Sequence, residues 1–193
     1  MTPNANRPAL IIIDMLNDFF DGQDVYDRAG LTRSINALTA AARSSGAPVI
    51  WVRQEFQPNL EDAFLEMRKH RISKTIQGTP GCQLLLELPV EPTDHEIVKK
   101  RYSAFFGTSL ATLLDDLRVN CLILAGINTH ACVRMTAIDA YQRDLDVIVA
   151  KDGVASYDLE HHAVSLRYLD GKIARVLDTE EIRKSILTGS ENV

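Results

Sequence analysis

Cysteine is scarce in this 193-residue chain, and its three copies, Cys82, Cys121 and Cys132, follow no regular spacing. That excludes a disulfide framework and a CxxC metal site, and the thiols are expected to be reduced. Long apolar runs are missing as well. None approaches the ~20 residues of a spanning helix, and the opening MTPNANRP lacks the apolar segment of a signal peptide. Charge of one sign is nowhere concentrated: 21 Lys and Arg are interspersed with 26 Asp and Glu for a net charge of −5. This argues against nucleic-acid or membrane-surface partners and leaves a small molecule as the default substrate. Internal repeats and low-complexity tracts are also absent. The expectation is one cytoplasmic domain over residues 1–193, long enough to bury about 70% of its extended surface.

What the chain does have is alternation. Short apolar runs are separated by helical patterns, which predicts an α/β fold with three α/β/α layers. The sheet is expected to be Rossmann-like, six-stranded and mostly parallel, with helices on both faces. Strands are expected at residues 9–13, 49–52, 96–99, 121–125, 147–150 and 173–177. A polar loop through Asp21, Gly22 and Asp24 leads to a helix with Leu31, Ile35, Leu38 and Ala42 on one face, stopped near Gly46 and Pro48. Residues 53–94 are expected to form loops and short helices around the turn from Gly78 to Gly81. Further helices are predicted at 109–117, with Leu110, Leu113, Leu114 and Leu117 facing in, at 159–169, and in the charged tail.

The stretch LILAGINTHACVRMTAIDAY, residues 122–141, organises the rest. It reads as a buried strand, a tight turn after Gly126, and a helix with Val133, Thr136, Ala137, Ala140 and Tyr141 along one face. Cys132 falls in the first turn of that helix, where unpaired N–H groups and the helix dipole favour a thiolate. In a parallel sheet, ligands bind outside the carboxyl ends of the strands. Asp14 closes strand one, Lys99 closes strand three, and Cys132 follows strand four, so the topology alone gathers three reactive side chains at one edge. Asp18 is the rival carboxylate and Lys100 the rival amine. Cys82 and Cys121 are read as packing residues.

Four ordered motifs, IIIDMLNDFF around Asp14, GTPG at Gly78 to Gly81, VKKRYSAFFGT around Lys99 and GINTHACVRMTAIDA around Cys132, carry a resemblance across most of the chain. The chain resembles the isochorismatase-like family of cysteine hydrolases, which includes nicotinamidases and N-carbamoyl amide hydrolases. The resemblance implies a catalytic set of Asp14 as base then acid, Lys99 as electrostatic partner and Cys132 as nucleophile. A free thiol has a pKa near ~8.5, so the sulfur needs such help at neutral pH. It further implies a cis peptide between Ile127 and Asn128, with the N–H groups of Asn128 and Cys132 aimed at an oxyanion. The implied reaction is hydrolysis of a small amide or carbamoyl compound through a thioester with ammonia release, carried out by a homo-oligomer, dimer or tetramer.

The resemblance also bears on cofactors and rivals. Relatives that hold zinc carry Asp-Trp-His-Pro after strand two, where this chain has Glu55-Phe56-Gln57-Pro58, and Gln57 is a poor zinc ligand. No metal and no other cofactor is expected. Many relatives have Gln two residues after the catalytic Asp, where Leu16 stands here. Phe19, Tyr102, Phe105 and Phe106 are candidate aromatic walls for a substrate, with ordinary core packing as the alternative. Arg134 is read either as a substrate-carboxylate ligand or as facing solvent or a partner subunit. His130 is read as an exposed loop histidine or as lining the pocket. Residues EHHAVSLRYLDGKIARVL look like true isochorismatases, so a vinyl ether hydrolase is the first rival reading, and a non-catalytic binding protein on the same fold the second.

Overall fold

The computed structural model describes residues 6–21 and 27–188, so Gly22 and Asp24 of the expected loop lie outside the described residues. Six strands form one sheet: β1 Pro8–Ile13, β2 Val49–Gln54, β3 His95–Lys99, β4 Cys121–Ile127, β5 Asp146–Ala155 and β6 Arg175–Leu177. Their order is β3-β2-β1-β4-β5-β6, and every pairing is parallel. The helices among the described residues are α1 Asn17–Phe20, α2 Arg28–Ser44, α3 Leu65–His70, α4 Leu110–Asp116, α5 Arg134–Tyr141, α6 Leu159–Leu169 and α7 Thr179–Thr188. The expected three-layer α/β sandwich is therefore present.

Strand alternation builds two cores from one sheet. Ile11, Ile13, Val52, Leu122, Leu124 and Val149 point to one face and pack against Leu110 and Leu114 of α4, Val133 just before α5, Ala137 of α5 and Leu169 of α6. Leu10, Ile12, Trp51, Ile123, Ala125 and Ile148 point to the other, against Leu31, Ile35, Leu38 and Ala42 of α2 and Ile182 of α7. Asp27 caps α2 by accepting the Gly30 N–H at 2.9 Å. None of the helices among the described residues is long and apolar enough to cross a membrane.

The differences from expectation lie at element ends. β2 and β4 each run two residues further than their apolar cores, through Gln54 and Ile127. β5 continues past Ala150 through exposed Lys151 and Asp152. There the Asp152 carboxylate accepts the Thr179 N–H at 2.7 Å and its hydroxyl at 2.9 Å, docking α7 on the sheet. Tyr141, expected on the inward face of α5, is 51% exposed, because the helix ends there and fully buried Ala140 is its last wall residue.

The strand order fixes where a ligand meets the sheet. The chain starts centrally at β1, moves outward through β2 and β3, then returns to place β4 on the other side of β1. The crevice between β1 and β4 is thus the topological switch point. Gly126 brings the two strands together there: its φ is +105°, and a Cβ at this position would lie 2.1 Å from the Ile13 carbonyl oxygen. Only glycine meets both demands.

Candidate active site

Three strand ends deliver the reactive groups to this crevice. Asp14 follows β1 in the left-handed region, φ +54°, a conformation that aspartate tolerates better than most residues. The turn carries its carboxylate off the line of the strand. Oδ1 accepts the backbone N–H of Gln54 at 2.7 Å, and Oδ2 lies 2.6 Å from Lys99 Nζ. Lys99 is fully buried at the end of β3, and its ammonium also contacts the Arg101 carbonyl at 3.1 Å, Cys132 Sγ at 3.4 Å and Gln54 Oε1 at 3.5 Å. Cys132 sits in a π-helical turn, Thr129–Val133, that joins β4 to α5, with 5% of its surface exposed. The peptide bond between Ile127 and Asn128, just before this turn, is cis.

Burial decides the electrostatics. It pushes the Cys132 thiol up, the Lys99 charge draws it back, and the charge of Asp14 with its hydrogen bond raises it again, for a net pKa of about 12. Burial outweighs the pull of the helix start and of Lys99, so the thiol lies above its ordinary range and its ionisation depends on a neighbour that takes up the proton. Burial would lower Lys99, but the charge of Asp14 and the hydrogen bonds to Asp14 and Cys132 outweigh it and hold the ammonium above the ordinary lysine range. A buried ammonium thus bridges a carboxylate and a thiol. Such a group can accept a proton from sulfur at Asp14 while the positive charge stays fixed beside both.

Comparison with known proteins identifies the family. The isochorismatase domain model matches residues 8–181. The chain belongs to the isochorismatase family. It is 34% identical over 176 residues to a probable inactive nicotinamidase of Arabidopsis thaliana, covering 86% of this chain and 89% of that relative. It is 29% identical over 188 residues to a maleamate amidohydrolase of Pseudomonas putida, covering 94% and 88%. The crystal structure of an isochorismatase family protein from Desulfovibrio vulgaris superposes with a TM-score of 0.87 at 27% identity, covering 94% and 98%. The chain is accordingly an isochorismatase-family hydrolase.

Around the family's fold, the remaining candidates separate. Tyr102 is half exposed and packs on Phe64 with ring centroids 4.9 Å apart, and burial pushes its phenol up. His130 stays with the turn: its Nδ1 is 2.5 Å from Ser156 Oγ, and its ring meets Tyr157 edge-on at 5.1 Å. Arg134 turns to α6 instead, with its guanidinium 4.7 Å over the Tyr168 ring. Phe105 is buried in the core under the Arg143 guanidinium, and Phe19 packs half-buried against the α2-side core. Asp18, the rival carboxylate, binds the Thr75 N–H and lies where a Cβ on Gly81 would fall, so it pins the GTPG turn. Lys100 pairs with Asp62 at 2.9 Å.

Gln54 was not anticipated. Its backbone orients Asp14 and its side chain reaches Lys99, and its position opposite Lys99 in the β2–β3 register is what places it there.

The stretch aligned with the zinc motif does not fit a metal. Glu55 is held by Arg53 at 3.0 Å, Phe56 is fully buried with Ala63, Met67 and Ile76, and the Gln57 N–H donates to Asp62 at 2.9 Å. Among the described residues, no three His, Cys, Asp or Glu side chains gather into a ligand set. The cavity of about 690 Å³ lined by Tyr141, Asp146, Gly171 and Arg175 opens at the opposite, amino edge of the sheet and touches none of the three reactive groups.

Lys99→Met is expected to destabilise the fold. It leaves Asp14 buried without its counter-charge, which costs about 3–5 kcal/mol, or a Tm drop of about 6–20 °C for a chain of this size. Because the folded-state pKa of Lys99 is raised, the native lysine contributes fully below the ordinary lysine range and loses that contribution only as pH climbs through the raised value. Thermal melts of both forms at neutral and strongly alkaline pH check this, since the gap between them narrows only at the alkaline end.

Proposed function

We propose that this chain is a cysteine-dependent amidohydrolase that cleaves the C–N bond of a small amide or carbamoyl compound and releases ammonia. The observation that carries the reading is the buried Lys99 ammonium lying within 3.4 Å of both the Asp14 carboxylate and the Cys132 sulfur. Substrate binding aligns a carbonyl with the thiol. The thiol proton passes to Asp14 as sulfur attacks the carbonyl carbon, forming a C–S bond and an oxyanion. The backbone N–H groups of Asn128 and Cys132 receive the oxyanion charge.

Collapse of this adduct breaks the C–N bond. Asp14 returns its proton to the departing nitrogen, so ammonia leaves neutral and a thioester remains on Cys132. Water, deprotonated by the same carboxylate, attacks the thioester; the C–S bond breaks, the acid leaves, and Asp14 returns the proton to sulfur as the thiol. Lys99 holds the carboxylate in line and offsets negative charge on sulfur throughout. No step requires a metal.

A vinyl ether hydrolase is the second reading, favoured by the isochorismatase-like segment at 160–177. It would use Asp14 and Lys99 and leave the sulfur idle, which the contact between Lys99 and Cys132 argues against. The test is a panel of small amides and carbamoyl compounds assayed for ammonia beside isochorismate assayed for ether cleavage. Ammonia release from at least one amide, and none of the ether reaction, is expected. Cleavage of isochorismate without any amide turnover would overturn the reading.

A further inference from the structure

The turn that carries Cys132 is tied to the fold by two imidazoles from opposite directions. From inside the turn, His130 reaches Ser156 just beyond β5. From outside it, His162 on α6 places Nδ1 2.9 Å from Oγ1 of Thr129, the first residue of the turn. Ser156 Oγ accepts the Asp158 N–H at 3.0 Å, and Asp158 in turn caps α6 through the His161 N–H at 2.9 Å. The end of β5, the start of α6 and the turn therefore form one hydrogen-bonded unit.

That unit does what the turn cannot do alone. A π-helical turn is an uncommon conformation, and this one has no side-chain cap at its start. The Thr129 hydroxyl is fully buried, so it needs a partner, and His162 is the one it meets. Burial holds both His130 and His162 below the ordinary histidine range, which favours neutral rings, and a neutral imidazole can pair its Nδ1 with the Thr129 hydroxyl.

We propose that His162 is a positioning residue for Cys132, acting through the Thr129 hydroxyl to fix the turn from which the sulfur and the oxyanion donors project. For its rate readout the proposal rests on the amidohydrolase reading. Asparagine places an amide oxygen where Nδ1 stands, whereas glutamine places one nearer Nε2, so His162→Asn keeps the bond and His162→Gln breaks it. Thr129→Ser and Thr129→Val divide the same way.

Expected for His162→Gln and Thr129→Val is a kcat lower by roughly 10- to 100-fold with KM nearly unchanged, while His162→Asn and Thr129→Ser stay within about threefold of the parent. The double variant His162→Gln with Thr129→Val should be no slower than the slower single. A second readout, the rate of Cys132 alkylation by iodoacetamide followed by mass spectrometry, should rank the variants in the same order without any substrate. Equal losses for Asn and Gln at 162, additive losses in the double variant, or activity that follows Tm alone would overturn the proposal. If the parent releases no ammonia from any amide, the amidohydrolase reading fails, and the alkylation order still decides the role of His162.

Discussion

Cys132→Ala is expected to release no ammonia, a loss of at least about 10⁴-fold, while its fold survives. The loss is large because sulfur forms the bond that divides the reaction in two, and alanine offers no second route. The fold survives because the ion pair between Asp14 and Lys99, 2.6 Å long, does not pass through the sulfur. Removing one small buried atom leaves a small void, costing about 1 kcal/mol. Cys82→Ala and Cys121→Ala serve as controls. Cys82 Sγ meets the Thr79 carbonyl at 3.2 Å, and Cys121 opens β4 at the far edge of the sheet, where burial pushes its thiol up to about 11. Both should keep full turnover. Mass spectrometry during turnover adds the direct check, since the parent should carry an acyl group on Cys132 and the alanine variant none. Undiminished turnover by Cys132→Ala would remove sulfur from the mechanism.

The convergence of Asp14, Lys99 and Cys132 was legible in the sequence for a topological reason. A parallel sheet points all its carboxyl ends one way, so residues that close apolar runs must share an edge even when 118 positions apart, as Asp14 and Cys132 are. Helix phase was less well used. Arg134 lies two residues past Cys132, about 200° around a helix, and so faces away from the sulfur toward Tyr168 on α6. Phe105 lies in an irregular segment where no period separates inside from outside, and it is buried in the core.

Other features depend on contacts that a single chain of letters does not display. Gln54 is hidden in the sequence because the apolar run of strand two stops at Val52, although the strand continues to pair opposite Lys99. Adjacent His161 and His162 point in different directions because neighbours on a helix do, and one meets Asp158 and the other Thr129. That the second partner is a residue of the Cys132 turn follows only from how α6 docks. The raised pKa of the sulfur is hidden for the same reason, because residue order announces a helix start but not the degree of burial that outweighs it.

Asp14→Asn separates the two roles that a carboxylate beside a thiol can have. If Asp14 served to make the thiolate, removing its charge would leave sulfur less ionised. The signs run the other way: burial and Asp14 both raise the Cys132 pKa, and Lys99 lowers it. With asparagine in place, only Lys99 opposes burial, so the thiol pKa is expected to fall below its present value of about 12, and Lys99 should fall with it as its counter-charge is lost. Turnover should nevertheless drop by about 10²–10⁴-fold, because no group remains to take the thiol proton and return it to the leaving nitrogen. The asparagine oxygen can still accept the Gln54 N–H that now binds Oδ1 at 2.7 Å, so the turn after β1 is retained. Titration of thiolate absorbance beside steady-state kinetics tests the pair of outcomes: a nucleophile ionising at lower pH in a far slower enzyme. A variant that keeps its rate would take the proton away from Asp14, and a thiol pKa that rises would mean that the field at the sulfur is not the one set by burial, Lys99 and Asp14.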